Sequence, residues 1–303
     1  MSRRKPIAML VFALSALAVV SVAEAKPAKQ YYLALGGSSA AGVQPDRAGA
    51  PRNTRLGYPR HLARMARGVR LVDYGCGSAT TGSFVRGGAC QPTRDPGYRN
   101  VSRRTSQLAA AERFLRRHRR RIAFVTIGIG ARDITRCHAD GEVDLPCLSK
   151  GVTRIRRDAP RIAKRLRRAA GRRVPMAAMT LYDPLLGLWV QGTGGQILAR
   201  LSQDVAREQV NAAIVDAFGS RGFRIADVAT AFKTYVPFQP ADGEPTGPPP
   251  VAVREICRLT WMCAPEPRGP AVHANRKGHR VIAKTFKRAL GAAARRGPPR
   301  RAR

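Results

Sequence analysis

Five short segments of this 303-residue chain carry the side chains that do chemistry, each set among small, turn-forming residues. Gly36-Gly37-Ser38-Ser39-Ala40-Ala41-Gly42 and Gly75-Cys76-Gly77-Ser78-Ala79-Thr80-Thr81 supply hydroxyls. Gly130-Ala131-Arg132-Asp133 supplies a guanidinium and a carboxylate, and Tyr182-Asp183-Pro184 a second carboxylate. His273-Ala274-Asn275-Arg276-Lys277-Gly278-His279 supplies imidazoles. A fold that joined a hydroxyl to an imidazole would have the parts for nucleophilic catalysis. Gly36 to Gly42 lacks the G-x-x-x-x-G-K-[ST] pattern and a full dinucleotide fingerprint, so no phosphate loop and no cofactor is expected.

The six cysteines, Cys76, Cys90, Cys137, Cys147, Cys257 and Cys263, fall into three sequence-close couples. An even count behind an export signal reads as three disulfides formed outside the cytoplasm, with pairing inside each couple the simplest choice. There is no C-x-x-C and no pair of His at ligand spacing, so no metal site is expected. The export signal is residues 1–25: Arg3, Arg4 and Lys5, an apolar stretch from Ile7 to Val22, and Ala23-Glu24-Ala25 as the cleavage site. An uncleaved anchor helix is the alternative. A single domain is expected over residues 26–294, and a basic, disordered tail over residues 295–303. The secreted chain has no further apolar run long enough for a stable membrane span.

Lys and Arg number 55 against 19 Asp and Glu, a formal charge of +36, and only nine of the 55 are Lys. The basic residues are dispersed, as in the stretch from Glu112 to Arg121, and read as solvated helix faces produced by a compositional bias. No nucleic-acid partner is expected from an exported chain without a basic cluster interleaved with aromatics. An anionic cell-surface polymer is a further partner this charge would suit.

Elements that would position the five segments are legible in the hydropathy pattern. Strands are expected at Tyr31 to Leu35, Val69 to Tyr74, Ile122 to Ile129, Val174 to Thr180 and Phe223 to Val228, with Ile122 to Ile129 central. Helices are expected at Tyr58 to Arg67, Ser106 to Arg119, Val152 to Ala170, Ile197 to Phe218 and Lys277 to Leu290. Gly82 to Arg104 and Tyr235 to Pro270 read as irregular, cysteine-held insertions. The alternation predicts an α/β fold, a parallel sheet covered on both faces, whose chemistry collects beyond the carboxyl ends of the strands. Trp261 reads as a packing anchor for its disulfide loop, Leu185 to Val190 as core, lid or acyl contact, and Asp133 and Asp183 as turn formers. His61, His118, His138 and His279 have no visible partners and read as exposed or capping.

Four of the segments resemble, in order, the motif blocks of the SGNH/GDSL hydrolases. Leu35-Gly36-Gly37-Ser38-Ser39-Ala40-Ala41-Gly42 is similar to the G-D-S-L block, and Tyr74 to Thr81 to the L-G-C-P-G-E-T-T block. Ile129-Gly130-Ala131-Arg132-Asp133 is similar to I-G-x-N-D, and His273, Asn275, Gly278, Ile282 and Ala283 match H-x-N-x-x-G-x-x-x-I-A. The resemblance spans Tyr31 to Ala283. It implies a three-layer α/β/α, flavodoxin-like sheet with disulfide-stapled loops, and a secreted serine esterase or lipase acting on lipid, acetyl or other small acyl esters. It implies Ser38 as nucleophile and His273 as base, with the oxyanion held by donors from Ser38, Ser78 and Arg132. Gly37 stands where the family has Asp, Ser78 where it has a donor Gly, and Arg132 where it has a donor Asn. Pro270 stands three residues before His273, where many relatives carry the triad Asp. These departures define the alternative: a catalytically impaired binding protein on the same scaffold, holding an anionic cell-surface ligand.

Overall fold

The computed structural model describes residues 30–90, 105–139, 142–238 and 248–294. The expected leader 1–25, the basic tail 295–303 and parts of both irregular insertions lie outside the described residues. Strand labels below count the central sheet only. It is parallel throughout, from β1 (Gln30–Gly36), β2 (Val69–Asp73), β3 (Ile122–Gly128), β4 (Met176–Met179) and β5 (Arg224–Ala226), in the order β2-β1-β3-β4-β5. This is the doubly wound, flavodoxin-like order, and it reverses direction at β1, between β2 and β3. The residues following β1 and β3 therefore flank the crevice where such sheets bind ligands.

The helices are α1 (Ser38–Ala41), α2 (Tyr58–Met65), α3 (Thr81–Arg86), α4 (Gln107–His118), α5 (Ala131–Thr135), α6 (Leu145–Ala170), α7 (Thr193–Asp204), α8 (Ala212–Gly219), α9 (Val228–Ala231), α10 (Val251–Leu259) and α11 (Arg276–Leu290). Helices α3, α4, α6 and α8 pack together as one layer, and α2, α9, α10 and α11 as the other. Leu33, Leu35, Phe124, Val125, Ile127, Ala177 and Ala178 are fully or almost fully buried in the sheet between them, as a sheet covered on both faces requires. Two tyrosines share one buried hydroxyl: Tyr32 Oη and Tyr58 Oη lie 2.8 and 3.1 Å from Thr126 Oγ1.

Several boundaries differ from those expected. The α6 helix starts at Leu145 rather than Val152, because Asp144 caps it by accepting from the Cys147 amide and Pro146 follows at a position where no amide is needed. The β5 strand is only three residues, since Asp227 immediately caps α9 by accepting from the Thr230 amide. Neither insertion is irregular throughout. Thr80 and Ser83 form a reciprocal capping box that starts α3, and α10 lies inside the second.

The disulfides join Cys76 to Cys90, Cys137 to Cys147 and Cys257 to Cys263, the pairing within each couple. The first includes a residue of the Gly75–Thr81 segment. The second ties the end of the Arg132 helix to α6. The third closes α10 onto Thr260–Trp261, which pairs antiparallel with Ala271–Ala274, the strand of His273.

Candidate active site

The chain leaves β1 through a turn that admits no side chain. Gly36 has φ +128°, and a Cβ there would lie 2.0 Å from the Gly128 carbonyl oxygen. Its backbone is held on both sides by buried Gln107: the Gly36 amide donates to Oε1 at 2.7 Å, and Nε2 donates to the Gly36 carbonyl at 3.1 Å. The Gly37 amide donates to Gly128 at 2.9 Å, so β1 and β3 stay joined to their ends. Ser38 then opens α1. A capping role would place its hydroxyl on a helix amide, but the capping position is Gly37 and no side chain caps this helix. The Ser38 hydroxyl is left half-buried and facing a cavity.

Ser78 follows β2. The Gly75–Thr81 segment lies tight behind α1, since a Cβ on Gly75 would sit 2.4 Å from the Ala41 amide nitrogen. Ser78 is exposed, and its hydroxyl donates to the Ala89 carbonyl at 3.0 Å. Its amide donates to no acceptor among the described residues.

Arg132 is the second residue of α5, beyond β3. The position of that helix is set by its neighbour. Buried Asp133 accepts from the Thr81 amide at 2.8 Å and from the Thr81 hydroxyl at 3.0 Å, and Arg154 approaches it at 3.5 Å. Burial pushes the Asp133 carboxyl up, against these bonds and the Arg154 charge. Asp133 thus locks two of the segments together. The Arg132 side chain is exposed, and it makes no hydrogen bond or ion pair among the described residues.

His273 sits on a strand held from two directions. The Tyr182 hydroxyl donates to the Val272 carbonyl at 3.0 Å, and Gln44 Nε2 donates to the Ala274 carbonyl at 2.8 Å. Gln44 is itself buried and accepts from Trp261 Nε1 at 2.9 Å. This strand packs against the α1 turn that carries Ser38. A capping role for His273 is not what the structure shows: Asn275 caps α11, accepting from the Lys277 and Gly278 amides. Burial, and then the positive charge of Arg132, push the His273 imidazole down to about 4. Among the described residues no carboxylate bonds to its ring. Asp183, buried beyond β4, accepts from the Leu185 amide at 2.9 Å and so forms a turn. Burial pushes it up to about 6, opposed by the neighbouring Ser202 hydroxyl and the Leu185 amide.

Ser38, Ser78, Arg132 and His273 all line one cavity of about 1100 Å³. The rest of its wall is mainly apolar, with Leu181 and Leu185 beyond β4, Leu198 and Leu201 on α7, and Leu145 and Leu148 on α6. Leu145 and Leu201 are 66% and 60% exposed, so apolar surface continues outward from the cavity. A separate crevice of about 10 Å³ lies among Gly37, Ser38, Ala79, Gly130 and Arg132. That is room for roughly one oxygen atom.

Three expectations are corrected. His279 is neither exposed nor capping: it is 1% exposed, on the inner face of α11 with Ile282, Ala283 and Phe286. Burial, with His61 and His273 adding, pushes it down to about 3. His118 has partners, its ring lying 4.8 Å from Tyr31 and 4.6 Å from Phe114. His61 is half-buried, with Nε2 sequestered from water; the His138 side chain lies outside the described residues. Trp261 is half-buried, its Nε1 bonded to Gln44 and its ring facing the Arg268 guanidinium. In Leu185 to Val190, Leu186 and Leu188 are core, while Leu185 faces the cavity. Gln44 and Gln107 were not legible as site residues, since a lone Gln reads like any surface residue; for Gln107 the one signal is its place directly after the helix cap Ser106.

No protein-family model and no curated protein sequence matches the chain. Among solved structures, an extracellular lipase from Streptomyces rimosus aligns with 86% of this chain and 99% of its own, at 18% identity and a TM-score of 0.47. Phospholipase A1 from Streptomyces albidoflavus aligns with 86% of this chain and 100% of its own, at 15% identity and a TM-score of 0.49. These likenesses are distant, and the chemistry of the site rests on its own geometry. In its strand order, in the three blocks that follow β1, β2 and β3, and in the fourth that leads into α11, the chain resembles the SGNH/GDSL hydrolase fold.

Proposed function

We propose that the protein is a secreted serine hydrolase of carboxylic esters, with Ser38 as nucleophile and His273 as general base. The observation that carries this is the cavity: a hydroxyl from the start of the domain, an imidazole from its end, and apolar walls suited to an acyl chain meet around one space. His273 would take the Ser38 proton as Oγ attacks the ester carbonyl carbon. The oxyanion so formed would be held by the Ser38 and Ser78 amides and by Arg132, close to the crevice beside Ser38. Collapse would expel the alcohol, which takes the proton back from His273, and water would then release the acid by the same route. An oxyanion donor is worth about 3–4 kcal/mol in such a site, so Arg132 matters to the rate.

With no carboxylate on its ring among the described residues, His273 would work in a dyad with Ser38, its backbone fixed by Tyr182 and Gln44. Such a dyad stabilises the imidazolium less than a triad does and would turn over slowly. The three disulfides support an oxidising compartment, in keeping with residues 1–25 as a cleaved leader and residues 26–294 as the exported domain. The test is Ser38→Ala against a chromogenic short-chain ester, with a serine-reactive phosphonate mapped by peptide mass. Loss of turnover with retained folding, and phosphonate on Ser38 of the parent, are expected. Equal rates for variant and parent would refute the assignment and favour a binding role for the same site.

A further inference from the structure

The Arg132 guanidinium is out of balance with its surroundings. It is exposed on the cavity wall, and no acidic side chain among the described residues is paired with it. Asp133, its neighbour in sequence, is occupied by Thr81 and Arg154. Asp183 is buried and turned to the Leu185 amide. Asp204 and Glu208 line the cavity from the end of α7 and the helical turn after it, and neither forms an ion pair with Arg132.

This charge also faces the base. In the free protein it repels the imidazolium that His273 must become when it takes the Ser38 proton. An anion bound to Arg132 would cancel that repulsion at the moment it matters. The oxyanion of the intermediate would engage only part of a fork that offers five donors in one plane. The remaining donors match a phosphate or carboxylate, which Arg binds in two-point fashion.

Building on the Ser38–His273 assignment, we propose that Arg132 is the specificity residue for esters carrying a phosphate or carboxylate close to the scissile carbonyl, with the apolar cavity taking the acyl chain. Such a substrate is an amphiphile whose anion activates its own cleavage. The excess of basic residues over the whole chain would also draw it in.

The experiment compares matched substrates at fixed ionic strength, with octanoate release as the readout. Octanoylglycerol phosphate is set against octanoylglycerol, and octanoyl lactate against its methyl ester. For the parent, kcat/KM should favour at least one anionic member by about 10-fold or more, as a charge-assisted bond would give. Preference in one pair only would identify which anion the site takes. In Arg132→Gln the ratio should fall to within about 2-fold, and in Arg132→Lys it should recover in part, since the charge returns without the fork. Equal kcat/KM within both pairs, or a preference that survives Arg132→Gln, would overturn the proposal. If the parent cleaves none of the four, the esterase assignment fails, and calorimetric binding of octyl phosphate against octanol decides the anion site by itself. Binding that favours octyl phosphate and is lost in Arg132→Gln would uphold the site; equal binding would end it.

Discussion

Mild acid should loosen this protein through two buried imidazoles, opposed by one buried carboxyl. His273 and His279 are held down to about 4 and about 3, chiefly by burial, against an ordinary value of 6.5. Above the ordinary value both are neutral, folded or unfolded, and contribute no pH dependence. As pH falls below it, the unfolded chain takes up protons that the folded chain refuses. Each imidazole then removes about 1 kcal/mol of stability per pH unit until its folded value is reached. Asp183 acts oppositely. Its carboxyl is raised to about 6 from 3.8, so between these values the folded chain holds a proton that the unfolded chain has released. Its contribution grows as pH falls through that window and is lost as pH rises through about 6. From about pH 6 to pH 4 the two imidazoles and the carboxyl leave a net loss of about 1 kcal/mol per unit. His61 and His118, lowered by burial and by neighbouring arginines, act in the same direction as the buried pair. The clean quantity is therefore the change in slope between parent and variant. Urea unfolding at constant ionic strength across this range gives that slope whatever the absolute stability. His279→Leu, or His279→Gln should Leu fold poorly, should flatten it by about 1 kcal/mol per unit, and Asp183→Asn should steepen it by the same amount. A His279 variant with the parental slope would show that this imidazole is not held neutral by the fold.

The rate should carry the same signature in a different window. As a general base His273 must be unprotonated, so kcat/KM for a neutral ester should stay level down to about pH 4 and fall below it. Arg132→Gln, which removes one of the two causes of the depression, should move that limb to higher pH; a limb that stays put would separate Arg132 from the base. Gln44→Leu should leave the Ala274 carbonyl and the Trp261 N–H unpaired, costing about 2–4 kcal/mol in a denaturant titration. Because Ala274 follows His273 directly, kcat should drop while KM changes little, and an unaltered kcat in a destabilised variant would make Gln44 merely structural.

Much of the scaffold was legible because it is written in local patterns. The continuous apolar run of Ile122 to Ile129 is what a strand buried on both faces needs, and it became the middle strand of the sheet. The disulfides followed sequence proximity because short loops close readily. Strand and helix ends were harder, as at Asp144 and Asp227, where a single side-chain bond to an amide decides where a helix begins. His279 departs from the usual exposure of a histidine because its spacing from Ile282, Ala283 and Phe286 places it on the apolar face of an amphipathic helix, where position outweighs residue type.

From the sequence alone came the alternation of elements, hence the sheet and its covering layers, and the placing of the small polar segments after the strands. Those follow from periodicity, which each segment carries within itself. Only the tertiary structure decided that Ser38 and His273 open into one cavity, that Asp133 is consumed in locking two segments together, and that Gln44 and Tyr182 grip the His273 strand. The reason is that a polar side chain declares what it is able to bond but not which distant group packing will bring to it, and a charge such as Arg132 is defined by the partner it does not find among the described residues.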